Sequence, residues 1–161
     1  MNRRRIILLL LLLIPMAVVP FSGKNYRTNP PVHTPHTLEA NVRTPPEIAS
    51  LLRRSCYNCH SNETKWPLYS RFPVVSSQIS GDVEKARRAM NFSEWSTQSG
   101  RRPDLAASTL LAACAVLETG EMPKVRYLLL HPDAFVTRAE TERFCAWSRQ
   151  TARELRPRPA Q

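Results

Sequence analysis

Apolar residues in this chain form one almost unbroken run near the N-terminus and, after it, stripes spaced three or four residues apart. Spacing of that kind marks one face of an α-helix. Val75, Ile79, Val83, Ala86 and Met90 share such a face, which predicts a helix from Val74 to Met90 with Gly81 as a weak point in its middle. Ala106, Leu110, Cys114 and Leu117 form the next stripe, on a helix that begins near Pro103 and Asp104 and ends at Gly120 as a C-cap. Thr137 and Glu140 make a capping box for a last helix through Phe144, Cys145 and Trp147 toward Leu155. Thr44-Pro45-Pro46-Glu47 has the same pattern with proline at the first helical position, and predicts a helix running to about Arg54. Alternating Val/Ile/Thr runs are absent and fourteen prolines stand against four glycines, so the expected class is all-α: short helices joined by proline-rich loops.

The N-terminal run does not belong to that domain. Arg3-Arg4-Arg5 followed by Ile6 to Phe21 has the pattern of a signal peptide or short signal anchor. Pro20, Phe21 and the valines before them spoil a small-residue cleavage site, with Gly23 the only plausible junction, which favours an uncleaved anchor. Basic residues ahead of the run keep that end in the cytoplasm, so everything after Phe21 is expected on the periplasmic side of a bacterial cytoplasmic membrane. The organisation expected is a signal or anchor at 1–23, a polar tether with Pro30, Pro31 and Pro35 at 24–43, a domain at 44–152 and a basic, proline-containing tail at 153–161. A formal charge of +10 predicts either a solvated surface or a basic face that steers an acidic redox protein or anionic lipid. Export excludes nucleic acid as a partner.

Cys56-Tyr57-Asn58-Cys59-His60 carries the chemistry. C-x-x-C-H is the spacing at which a c-type haem is attached: two thiols add to the vinyl groups of one porphyrin, and the next residue offers an imidazole to the iron. A zinc site would need a second close pair of ligands, whereas Cys114 and Cys145 stand about thirty residues apart. A thioredoxin-like dithiol would follow a hydrophobic strand, and here a helical segment precedes the pair.

One axial position stays open in such a site, and methionine sulfur usually fills it in electron carriers. Met122, in Gly120-Glu121-Met122-Pro123, is the leading candidate, because the proline limits backbone freedom beside it. His131 is the second choice, and Met90 fits a core position better. Trp66 and Tyr69 are either aromatic bodies lying against the macrocycle with a polar tip toward a propionate, or ordinary core aromatics. The carbonyl of Pro67 is a candidate acceptor for the His60 Nδ1 proton, and Arg71, Arg87 and Arg88 are propionate candidates by charge. Cys114 and Cys145 form either an interhelical disulfide or two buried thiols.

Taken together, the stretch Ser55 to Ser70, Pro73, Asn91-Phe92-Ser93-Glu94-Trp95, Gly120-Glu121-Met122-Pro123, Tyr127 and Leu130-His131-Pro132-Asp133-Ala134 resembles the haem-binding domain family of small monohaem c-type cytochromes. The resemblance spans about residue 45 to Trp147 and implies a cytochrome c-like fold around one covalent haem c, His60 and Met122 as iron ligands, and membrane association. Lys124-Val125-Arg126 departs from the more apolar stretch common in the family. The function expected is transfer of single electrons between redox partners without bond-making chemistry. The alternatives are a haem-based ligand sensor or peroxidase-like enzyme, and an exported thiol-disulfide oxidoreductase without haem.

Overall fold

The computed structural model describes residues 27–156, and the apolar run from Ile6 to Phe21 lies outside them. Among the described residues the secondary structure is entirely helical, as the stripes predict. No helix there is long and apolar enough to cross a membrane. Among the described residues seven α-helices follow one another: α1 (Leu38–Asn41), α2 (Pro46–Ser55), α3 (Tyr57–His60), α4 (Pro73–Ala89), α5 (Pro103–Glu118), α6 (Val125–Leu128) and α7 (Arg138–Leu155), with short 3-10 turns between some of them.

The core is built where the stripes are complete. Ile48, Leu51 and Leu52 of α2 meet Ala106, Leu110 and Cys114 of α5 and Phe144 and Cys145 of α7, each at most a few per cent exposed. α5 and α7 make the most extensive pairing, and a Cys114–Cys145 disulfide closes it. The Ser148 hydroxyl donates to the Leu110 carbonyl at 2.6 Å, so a buried polar group on that interface is satisfied. α7 starts as expected: the Thr137 side chain accepts from the Glu140 N–H, and the Glu140 carboxylate accepts from the Thr137 N–H at 2.8 Å.

Two expectations are corrected. The capping box at Thr44 does not form: the N-cap of α2 is Pro45, and the Thr44 hydroxyl donates to the Val42 carbonyl at 3.0 Å instead. Proline at N1 lacks one of the N–H groups that a helix start leaves unpaired, and its fixed φ favours the start. The stretch assigned to the tether also folds in its second half. Thr34–His36 is a 3-10 turn, α1 follows, and Leu38 and Val42 are buried in the main core. Farther up the chain, Thr28 and Asn29 are tied to the domain by Arg87, whose guanidinium donates to the Thr28 carbonyl at 3.3 Å and to Asn29 Oδ1 at 3.0 Å.

α4 keeps only part of its predicted stripe. Val83 is buried and Ile79 and Ala86 are half-buried, but Val75 is exposed, as are Phe72 and Val74 beside it. Further exposed apolar side chains, Leu68, Val125, Leu129 and Leu130, lie on the turn before α4 and along α6 and the segment after it. These are the segments around the C-x-x-C-H turn.

Candidate cofactor site

Cys56 to His60 forms a single helical turn that closes on one carbonyl: the N–H groups of Cys59 and His60 both donate to Cys56 O, at 3.1 and 2.9 Å. Residues three and four apart share a helix face, so the fold keeps both thiols and the imidazole together. Cys56 and Cys59 are unbridged, whereas the other two cysteines are joined. Burial, reinforced by the neighbouring Cys59, pushes the Cys56 thiol up to about 12, with Arg54 acting the other way. Burial also raises the Cys59 thiol, aided by Asp82 and opposed by Arg87, Arg126 and Lys124. A dithiol oxidoreductase needs the reverse, a thiolate stabilised near neutral pH.

His60 is fixed from behind. Its Nδ1 lies 3.1 Å from the Met90 carbonyl. Carbonyl oxygen can only accept, so Nδ1 carries the proton and the lone pair sits on Nε2. Burial lowers the imidazole's pKa, partly offset by its bonding to the Met90 and Ala86 backbone, which keeps the ring neutral. The carbonyl expected from Pro67 is thus supplied by Met90, while Pro67 O accepts from the Ser70 N–H and hydroxyl. Met90 is in place because the strand-like turn after α4 is anchored by buried amides: Asn91 Nδ2 donates to Asn62 Oδ1 at 2.9 Å, and the Asn62 N–H donates to Ser93 Oγ at 3.0 Å.

Met122 is half-buried in the turn after α5. Gly120 at φ 72° makes that turn, a conformation that side chains disfavour, and the Met122 N–H donates to the Val116 carbonyl at 3.1 Å. The peptide bond from Met122 to Pro123 is cis. Beyond it the chain returns to the haem-type turn: the charges of Lys124 and Arg126 reach the Cys59 thiol, and Asn58 Nδ2 donates to the Tyr127 hydroxyl at 2.7 Å. Tyr69 and His131 form a pair, hydroxyl to Nε2 at 2.7 Å, and the His131 ring stacks on Tyr127 with centroids 4.3 Å apart. His131, the second choice for the open position, therefore has its Nε2 engaged by a phenol.

Trp66 is elsewhere. Its Nε1 donates to Asn29 Oδ1 at 3.2 Å, on the segment leading back toward the N-terminus. Arg87 is not free for an anion: besides Thr28 and Asn29 it donates to the Ser61 carbonyl at 2.8 Å and to Thr64 Oγ1 at 2.9 Å. Arg88 pairs with Glu84, and Arg71 is exposed. The sequence stripes gave no signal for Asn58, Asn62, Arg87 and Asn91, because polar residues that satisfy one another in a buried network follow no periodicity.

The donor set suits a haem. Two unbridged thiols, a neutral imidazole with its lone pair on Nε2 and exposed apolar side chains on the surrounding segments are what a flat apolar macrocycle with a ligated iron requires. The family model described as Haem-binding domain matches residues 11–150. No curated protein and no solved structure matches the chain.

Proposed function

From this chain's membership of the haem-binding domain family, we propose that it is a monohaem c-type cytochrome carrying single electrons between redox partners at the outer face of the cytoplasmic membrane. The observation that carries this reading is the turn itself: Cys56 and Cys59 unbridged, with His60 on the same turn and its Nδ1 committed to Met90 O. Bound there, haem would supply an iron that changes charge by one electron. The chain's own residues do the rest. Cys56 and Cys59 would hold the macrocycle by thioether bonds, and His60 Nε2 and Met122 would be the residues that bind the iron. Leu68, Phe72, Val75 and Leu130, exposed on the segments around the turn, would shield it from water, limit access by small ligands and leave an edge for electron exchange.

The membrane placement rests on Arg3-Arg4-Arg5 and the apolar run to Phe21. Because Arg87 ties Thr28 to the loop after the C-x-x-C-H turn, the seven residue steps from Phe21 to Thr28 allow a separation of at most about 25 Å between the end of that run and Thr28. That reach would keep the haem close to partners embedded in the same membrane. The surplus of positive charge supports an acidic partner.

Denaturing electrophoresis with haem staining tests the attachment. The stained band is expected to persist in the wild type, weaken in Cys56→Ala and vanish in Cys56→Ala with Cys59→Ala; a stained band in the double variant would refute thioether attachment. Carbon monoxide separates carrier from sensor or peroxidase-like enzyme. The reduced wild type is expected to resist it and Met122→Ala to bind it rapidly, whereas immediate binding by the wild type would favour the ligand-binding reading.

A further inference from the structure

α6 has no fully buried residue and only Tyr127 and Leu128 are half-buried, so hydrophobic packing holds the segment that follows Met122 only weakly. Its Arg126–Asp82 ion pair, 2.6 Å long, lies at the surface, where such pairs contribute little. What remains is Tyr127. Its hydroxyl accepts from Asn58 Nδ2 at 2.7 Å, and its ring stacks on His131, which is bonded in turn to Tyr69. Asn58 is itself oriented at both ends, since its Oδ1 accepts from the Lys65 N–H at 3.1 Å. These contacts join three segments: the C-x-x-C-H turn, the Leu68–Arg71 turn and the segment that follows Met122.

We propose that Tyr127 is a positioning residue that seats the methionine loop against the haem motif through Asn58, a role that rests on the haem reading above. The Tyr127 N–H donates to the Lys124 carbonyl at 2.9 Å, and Pro123 stiffens the link from there to Met122, so a shift of Tyr127 is passed to the methionine over one short turn. Asn58, between the two cysteines, fixes the other end of the contact to the part of the chain that holds the macrocycle. The phenol thus sets how firmly the sulfur is presented to the iron. The tyrosine ring and hydroxyl have separate tasks, stacking on His131 and bonding Asn58, and they can be removed separately.

The test uses full-length, haem-loaded protein, with haem content of each variant fixed first by its pyridine spectrum. Tyr127→Phe is expected to keep its haem, to lose most of the weak near-infrared band of ferric iron bound to methionine sulfur, and to bind carbon monoxide about tenfold more readily when reduced. Tenfold corresponds to one hydrogen bond worth about 1.4 kcal/mol. Asn58→Ala, which also loses the Lys65 contact, should give at least that change, and the double variant no more than Asn58→Ala alone, because the Asn58–Tyr127 bond is the one that both substitutions remove. Near-wild-type band and carbon monoxide binding in Tyr127→Phe and Asn58→Ala overturn the proposal, even if melting temperatures fall. A wild type that lacks the band but stains for haem overturns methionine ligation and this role with it. A wild type with no covalent haem overturns the reading beneath both.

Discussion

The α5–α7 pair and the segments around the C-x-x-C-H turn are stabilised in opposite ways. Between α5 and α7, apolar side chains interlock, a disulfide closes the contact and the buried Ser148 hydroxyl has a partner on the facing helix. Around the turn, the ties are hydrogen bonds among Asn58, Tyr127, Tyr69, His131, Asn62 and Asn91, while apolar Leu68, Phe72, Val74 and Leu130 stay exposed. The first region needs nothing else to be complete. The second has these side chains hydrogen-bonded to one another but its apolar surface unspent, the arrangement expected where a flat apolar cofactor supplies the missing packing.

Removing the disulfide is the strongest way to break this contrast. Cys114 and Cys145 are 31 residues apart, and Cys114→Ala with Cys145→Ala is expected to lower stability by about 3 to 4 kcal/mol from loop entropy. Urea unfolding measures that loss, while the haem-stained band should be unchanged. Haem loss in step with the fall in stability would show that the two regions are not separable.

A smaller effect is expected from Asn91→Ala. It strands the buried Asn62 Oδ1 without its donor and removes the acceptor for the Ser93 N–H, at a cost of about 2 kcal/mol. Because Asn91 follows the residue whose carbonyl holds His60, the haem spectrum should shift as well, which the disulfide variant should not cause. A destabilised variant with a wild-type spectrum would mean that the amide network holds the loop but not the imidazole.

The smallest effect sharpens the boundary between the regions, where Arg54 at the end of α2 donates to Glu140 at 2.8 Å. The Thr137 N–H first, and Arg54 next, lower the Glu140 carboxyl to about 2 from 4.5. A lowered carboxylate contributes stability that is complete above about pH 4.5 and is lost as the pH falls through about 2. Glu140→Gln should therefore cost about 1 kcal/mol at neutral pH and flatten that acid limb of the stability curve. A limb as steep as the wild type's would assign acid sensitivity to other carboxylates.

How legible each region was follows from its physics. Helices α5 and α7 were readable because a buried helix face repeats every three to four residues, and Thr137 with Glu140 marked a start that the fold uses. α4 was readable as a helix but not as a packed one: Val75 and Val83 look alike in the sequence, yet one is exposed and the other buried. Thr44 looked like a cap as good as Thr137, but the helix begins one residue later, at Pro46, and the Thr44 hydroxyl bonds the Val42 carbonyl instead. At the site, the motif placed the thiols and the imidazole, while Met90, Asn58 and Tyr127 carried no local mark of their contacts.

By itself, the sequence determined the helical class, the stripes that form the core and the haem-type turn, because these depend on residues within a turn or two of each other, and the family, because several short motifs follow one another in order along the chain. Only the tertiary structure decided that Cys114 meets Cys145, that Met90 rather than Pro67 holds His60, that Arg87 ties back the N-terminal segment, and that Tyr127 reaches Asn58. Each of these is a contact between distant segments, and its partner is chosen by how whole helices pack.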